Sequence, residues 1–247
     1  MLRMTPVTAP PSPATELPPM ITHIARTAGF SGLLAALLLT VLQSLWVSPL
    51  ILQAETYEAS APAHSHAQGT EAAHEHSDEA WSPEEGWQRT LSTTGGNLVV
   101  AVGFALILAG LYSLRQPRTT ASGAAWGLAG FAVFCLAPTL GLPPELPGTA
   151  AADLAQRQVW WAGAAGGTAV GLALLVFARH WALKVLGVIV LVLPHVIGAP
   201  QPEVHQSLAP AALETQFQVA SWLTNAAFWL ALGLISAGLY RRFSRSV

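Results

Sequence analysis

Along this chain, long apolar runs alternate with short polar ones. Six of these runs approach the roughly 20 residues that a helix needs to cross a bilayer. They predict helices at 28–50, 92–114, 122–142, 159–178, 182–199 and 217–240. The fifth is the shortest and leads into Pro194, Gly198, Pro200 and Pro202, which predicts an irregular end. The first follows Arg26 and resembles a signal peptide, but its run exceeds a typical h-region and no small-x-small cleavage site follows. It reads as a retained helix. Residues 1–27 are Pro-rich without periodicity and read as a disordered tail, with Met20 as an alternative start close to the first apolar run. The fold expected is an all-α, polytopic membrane helix bundle of six transmembrane helices over 28–240, with a polar loop at 51–91 and a short basic tail at 241–247.

Composition agrees with that pattern. The chain has 247 residues, 52% of them hydrophobic and 10% charged, against about 25% charged in a soluble domain. Charges are costly in hydrocarbon, so spanning segments account for the deficit. Cys135 is the single cysteine and sits in an apolar run, so no intramolecular disulfide can form. No basic patch points to nucleic acid. The chain has no phosphate-binding G-x-x-x-x-G-K-[ST] loop and no H-E-x-x-H helix, and no Ser/His/Asp arrangement presents itself, so an enzyme is the least favoured class.

The distribution of charge sets orientation. Nine of the eleven basic residues (Arg3, Arg26, Arg115, Arg118, Arg179, Lys184, Arg241, Arg242 and Arg245) fall on one side of the implied membrane. Arg89 and Arg157 fall on the other, with twelve of the thirteen acids. By the positive-inside rule both termini are cytoplasmic, and the outward loops are about 51–91, 143–158 and 200–216. Trp46, Trp160, Trp161 and Trp222 lie near the outer boundaries, and Trp126 and Trp181 near the inner ones, as in an aromatic belt.

Gly163, Gly167 and Gly171, and Gly123 with Gly127, put small residues at helical spacing and predict close helix packing. A weak internal repeat runs beside them. GLPPE at 141–145 answers GAPQPE at 198–203, and QRQV at 156–159 answers QFQV at 216–219, which suggests two helical hairpins in parallel orientation. Coincidence explains matches this short equally well.

Several residues could handle a cation. The first outer loop holds His64, His66, His74 and His76 among Glu55, Glu58, Glu71, Glu75, Asp78, Glu79, Glu84 and Glu85. Imidazole and carboxylate suit a divalent transition metal, although a solvated acidic linker would look similar. His195, beside Pro194 at the outer end of the fifth helix, is an intramembrane ionisable residue and hence a pathway candidate, with His205 following it; a histidine bonded to a neighbouring helix is the alternative. Glu55, Glu145, Asp153, Glu203 and Glu214 lie at outer helix ends and would make an acidic vestibule, if they are not simple loop decoration. Gln43, Asn97, Thr224 and Asn225 are expected to bond between helices, with Asn225 also a candidate to line a path. Cys135 is expected to pack, with a soft-ligand role as the alternative.

Several segments resemble the CbtA family of predicted cobalt transporter subunits: PLILQAETYE (49–58), WGLAGF (126–131), LAPTLGLPPELPG (136–148), QVWW (158–161), LPHVIGAP (193–200) and TNAAF (224–228). The resemblance spans roughly 28–240 and leaves the Pro-rich tail outside. It implies a bacterial inner-membrane protein of cobalt uptake, often associated with vitamin B12 synthesis, and a small single-helix, His-bearing CbtB partner subunit. It carries over no ligand residues. The sequence therefore leads to the expectation of a membrane subunit that moves Co2+ inward with no tightly bound cofactor. The metal ligands expected are His64, His66, His74, His76, His195, His205, Glu55, Glu145 and Glu203. An exporter or nickel transporter is one alternative. A non-conducting, metal-binding accessory or scaffold is the other.

Overall fold

The apolar runs become helices because backbone polar groups in hydrocarbon must be satisfied within the segment itself. The computed structural model describes residues 19–60 and 86–245. Its helices are α1 (Pro19–Leu42), α2 (Ser48–Ser60), α3 (Trp87–Leu114), α4 (Ser122–Phe131), the single turn α5 (Ala137–Thr139), α6 (Leu154–Phe177), α7 (Trp181–Ile197) and α8 (Ala211–Phe243). Wide π turns at Gln43–Val47 and Ala132–Leu136 join α1 to α2 and α4 to α5. Among the described residues there is no strand, only an isolated antiparallel bridge between Thr149 and Ser207.

Each π turn lies just before a proline, Pro49 or Pro138. A proline inside a helix lacks the N–H donor, and its ring crowds the carbonyl four residues back. That carbonyl belongs to Leu45 or Phe134, both inside the widened turns. The extra residue lets the helix pass the proline without ending.

Among the described residues, five helices are long and apolar enough to cross a membrane: Met20–Ser60, Trp87–Leu114, Ser122–Thr139, Leu154–Phe177 and Ala211–Phe243. The fifth predicted helix, α7, is apolar but has 17 residues. Hydropathy placed several boundaries wrongly. The first helix begins at Pro19, inside the segment read as tail, and α2 reaches Ser60 while α3 starts at Trp87, both inside the predicted loop. Helical geometry tolerates the polar residues there because a 41-residue helix is about 60 Å long, twice the hydrocarbon thickness.

The helices run between two ends of one bundle. At one end His23 of α1 stacks on Tyr240 of α8, with ring centroids 4.2 Å apart, and Arg26 lies over Phe243. Arg115 lies over the Phe177 ring at the same end, linking the close of α3 to the close of α6. At the other end Val47, Ala54, Leu146, Leu213, Phe217 and Ala220 form a small core that fastens the 140–153 loop to α2 and the start of α8. The larger core, with Ala35, Leu108, Tyr112, Phe228, Trp229 and Leu232, lies between α1, α3 and α8.

Helix α1 packs on α3 and α8, α4 packs on α8, and α7 packs chiefly on α6. Glycines set the last two crossings. A Cβ on Gly233 would lie 2.2 Å from the Gly123 carbonyl, and one on Gly171 would lie 2.6 Å from that of Gly187. Of the glycines read as packing positions, Gly163 stands in open space. Replacing Gly233 by Leu should therefore destabilise the detergent-solubilised protein by about 1–3 kcal/mol or more, the range for overpacking. Gly163→Leu should leave its thermal midpoint unchanged, and equal effects at the two positions would contradict a tight α4–α8 crossing.

Candidate functional site

At the end of the bundle fastened by Leu146 and Phe217, two loops meet. The 140–153 loop follows α5 and the 198–210 loop follows α7. Ala150 N–H donates to the Gln206 carbonyl at 2.8 Å, Leu208 N–H donates to the Gly148 carbonyl at 3.3 Å, and the Thr149 and Ser207 hydroxyls lie 3.3 Å apart. Gly148 holds the turn with φ +77°, a conformation that favours glycine. Trp160 braces both loops from beneath. Its ring fills the place beside Gly141, and its Nε1 donates to the Pro194 carbonyl at 3.1 Å. Buried in that role, Trp160 does not belong to an interfacial belt, whereas Trp46, Trp161 and Trp181 are exposed. Trp222 also departs from the belt, because its Nε1 is buried without a partner.

Between the loops lies a pocket of about 340 Å3, lined among others by Glu145, Arg157, Gln201, His205, Gln206, Glu214 and Gln218. Glu145 and His205 both line this pocket, and so does Glu214 from the first turn of α8. Glu203 is exposed and does not line the pocket. His205 Nε2 lies 3.4 Å from Gln201 Oε1. Asp153 is the N-cap of α6, accepting from Gln156 N–H at 3.0 Å, which is a structural use of its carboxylate.

The two basic residues at this end are both paired. Arg157 Nη2 donates to Glu145 Oε2 at 2.8 Å, from the first turns of α6 back to the loop. Arg89 makes a bidentate contact with Glu55, at 3.1 Å and 2.6 Å, joining α3 to α2. Planar, two-pronged pairing fixes geometry as well as charge. The vestibule read from sequence thus has two of its carboxylates already neutralised in part, which a count of acids could not reveal.

His195 is separate. It is half-buried on α7 and meets Trp160 edge-to-face, with centroids 5.8 Å apart, outside the residues lining the pocket. The groove beside it, about 810 Å3, is almost wholly apolar, lined by Val159, Gly163, Leu193, Pro194 and Ile197 among others. Among the described residues no group of three His, Cys, Asp or Glu side chains comes close enough to hold a metal ion. His64, His66, His74 and His76 lie outside the described residues.

The polar residues of the spans bond between and within helices. Asn97 donates to Gln43 Oε1 at 2.7 Å and to Thr40 Oγ1 at 3.0 Å, tying α3 to the first π turn. Asn225 donates to the Ser221 carbonyl and accepts from Cys135 Sγ at 3.7 Å, at the second π turn. Thr224 Oγ1 is buried without a partner.

The chain belongs to the CbtA family, described as a probable cobalt transporter subunit, whose family model matches residues 21–241, nearly the whole chain. With its apolar helices this makes it a multi-pass membrane protein and one subunit of a transporter. No curated protein and no solved structure matches it.

A cation held at Glu145 would have to compete with Arg157, so Arg157→Gln should tighten any Co2+ binding that Glu145 contributes to in the purified protein. The expected gain is roughly two- to fivefold, as a partly exposed ion pair permits. Titration calorimetry measures it, and Arg89→Gln, outside the pocket, should give no gain.

Proposed function

We propose that the chain is the membrane subunit of an uptake system for a divalent transition metal, Co2+ in the first instance, and that the pocket holding Glu145, His205 and Glu214 receives the ion. The observation that carries this reading is that those three side chains line one pocket at the acidic end of the bundle. Two carboxylates and an imidazole suit a borderline divalent cation. Their separation, and the arginine on one of them, suit a weak site that can release what it takes up.

In this reading the acidic end faces outward in a bacterial inner membrane and both termini are cytoplasmic, in keeping with the bias of Lys and Arg. Helix α7 is the sixth crossing, continued outward by the Gly198–Pro202 segment. The histidine loop gathers ions, with His64, His66, His74 and His76 as its ligands, and passes them to the pocket. His195 receives the ion further along. Glu55 and Glu203 contribute to the potential of the mouth and do not ligate within the pocket. The cargo is substrate, and no resident cofactor is required.

The α4–α8 and α6–α7 crossings support the hairpin repeat. If α4–α5 corresponds to α7 and α6 to α8, each crossing is the counterpart of the other. The bridge between Thr149 and Ser207 then joins equivalent positions, 58 residues apart like Glu145 and Glu203. Parallel repeats of this kind relate halves about an axis along the membrane normal.

A second reading, a metal-capturing accessory that does not itself conduct, is favoured by one observation: no three-ligand cluster forms among the described residues. A partner subunit, such as a small His-bearing CbtB-like helix, would then complete the site. Uptake of radiolabelled Co2+ into proteoliposomes, with and without that partner, separates the two. Wild type should accumulate the ion, and His205→Ala/Glu214→Gln should reduce the initial rate about tenfold or more, the loss of roughly 1.4 kcal/mol of ion contact. Glu203→Gln should stay near wild type. Metal binding without accumulation under either condition would establish the accessory reading, and accumulation untouched by the double substitution would remove the pocket from the path.

A further inference from the structure

The opposite end of the bundle holds a second polar pocket, of about 300 Å3, lined by Thr120, Gly238, Arg241, Arg242 and Arg245. It lies between the α3–α4 connection and the last turn of α8, where Arg241 and Arg242 are placed by the sequence. Arg241 Nη1 reaches Thr120 Oγ1 at 3.4 Å, which holds one guanidinium across the opening. Gly238 keeps the floor low: a Cβ there would already touch the Thr120 methyl at 3.5 Å.

Among the described residues, no carboxylate pairs with these three arginines. The ion pairs among the described residues are Arg89–Glu55 and Arg157–Glu145, both at the other end. Every described acid, from Glu55 to Glu214, belongs to that other end as well. Arg26 and Arg115 lie nearby in the bundle, but each is laid over a phenylalanine ring. Arg242 and Arg245 are exposed and lack such a ring contact among the described residues. Like charges gathered round one concavity repel each other unless an anion joins them. Guanidinium groups present planar forks that match phosphate oxygens in pairs.

We propose that Thr120, Arg241, Arg242 and Arg245 form a binding site for a phosphate group, supplied by the head group of an anionic phospholipid. The lipid source is favoured by place. The pocket opens at the last turn of a spanning helix, the depth at which head groups lie, and basic pockets between helices at such levels take anionic lipid. Occupation would clamp the 115–121 connection to the end of α8, and so tie α4 to α8 from the end opposite the metal pocket. The site does not depend on the direction or identity of the transported ion.

The test is native mass spectrometry of the full chain in detergent supplemented with phosphatidylglycerol or phosphatidylcholine, in the presence or absence of inorganic phosphate. Wild type should retain phosphatidylglycerol over phosphatidylcholine. Arg242→Gln/Arg245→Gln, at two exposed positions where folding is not at stake, should lower that retention roughly tenfold. Arg179→Gln/Lys184→Gln, which removes the same charge at the α6–α7 turn, should not. Displacement of phosphatidylglycerol by millimolar phosphate would keep the site and make free phosphate its ligand. Equal retention by wild type and the Arg242/Arg245 variant, or an equal loss in the Arg179/Lys184 control, would overturn the proposal.

Discussion

The architecture depends on two places where helix backbones touch. Within lipid there is no hydrophobic gain from bringing one apolar helix onto another, so association rests on close van der Waals contact. Gly123, Gly127 and Gly233 give α4 that contact with α8, and Gly171 with Gly187 gives it to α6 and α7. The consequence is topological. Helices α4 and α7 each pack on a helix other than their hairpin mate. The loops that close the two hairpins are thereby drawn to the same spot, where 148–150 pairs with 206–208. Without the crossings, Glu145 and His205 would sit on unconnected loops.

The two arginines at the acidic end change what that end can be. An unpaired ring of carboxylates would attract any cation and hold a divalent one too well to release it. With Arg157 on Glu145 and Arg89 on Glu55, the field is weaker and more ordered. Both pairs are partly exposed, Arg89–Glu55 more so than Arg157–Glu145, so their strength is modest and falls with salt. A pair of that kind can exchange partners: the carboxylate can turn from guanidinium to metal without first being stranded alone. The same arginines link α6 to its preceding loop and α3 to α2, so a change of partner at either would be felt by the helices that carry them.

Helix existence, class and the packing role of most glycines were legible in the sequence because each rests on a local regularity. Apolar length marks a span, and i, i+4 spacing marks a seam. Boundaries were less so: the polar stretches at Glu55–Ser60 and Trp87–Thr90 look like loop by hydropathy, yet continue as helix because their hydrogen bonds are internal and water bathes their side chains. The π turns were foreshadowed only by Pro49 and Pro138, residues that could equally have ended their helices. The ion pairs and the role of Trp160 as a brace were beyond reach, since they depend on which distant segments meet. Glu214 was noted as one outer acid among several; only the meeting of the loops shows that it lines the pocket and that Glu203, with the same chemistry, does not.

The interior limits how a metal ion can cross. Between the two ends, the polar side chains that bond across helices among the described residues are amides, hydroxyls and one thiol: Thr40, Gln43 and Asn97 at the first π turn, Asn225 and Cys135 at the second, and Tyr112 with Ser236. None carries a formal negative charge, and a divalent ion in a medium of low dielectric needs one or more. Neutral oxygens can share a partly hydrated ion, as carbonyl rings do in pores, but only along a path wide enough to keep some water. The described residues line no such path inside the bundle, where Tyr112, Phe228 and Trp229 fill the centre. The α6–α7 side is less tightly packed, with open space beside Gly163 and an apolar groove of about 810 Å3. The apolar groove beside α6 and α7 is lined by Val159, Gly163, Leu193, Pro194 and Ile197 among others, and among the described residues it has no acidic side chain to offer an ion.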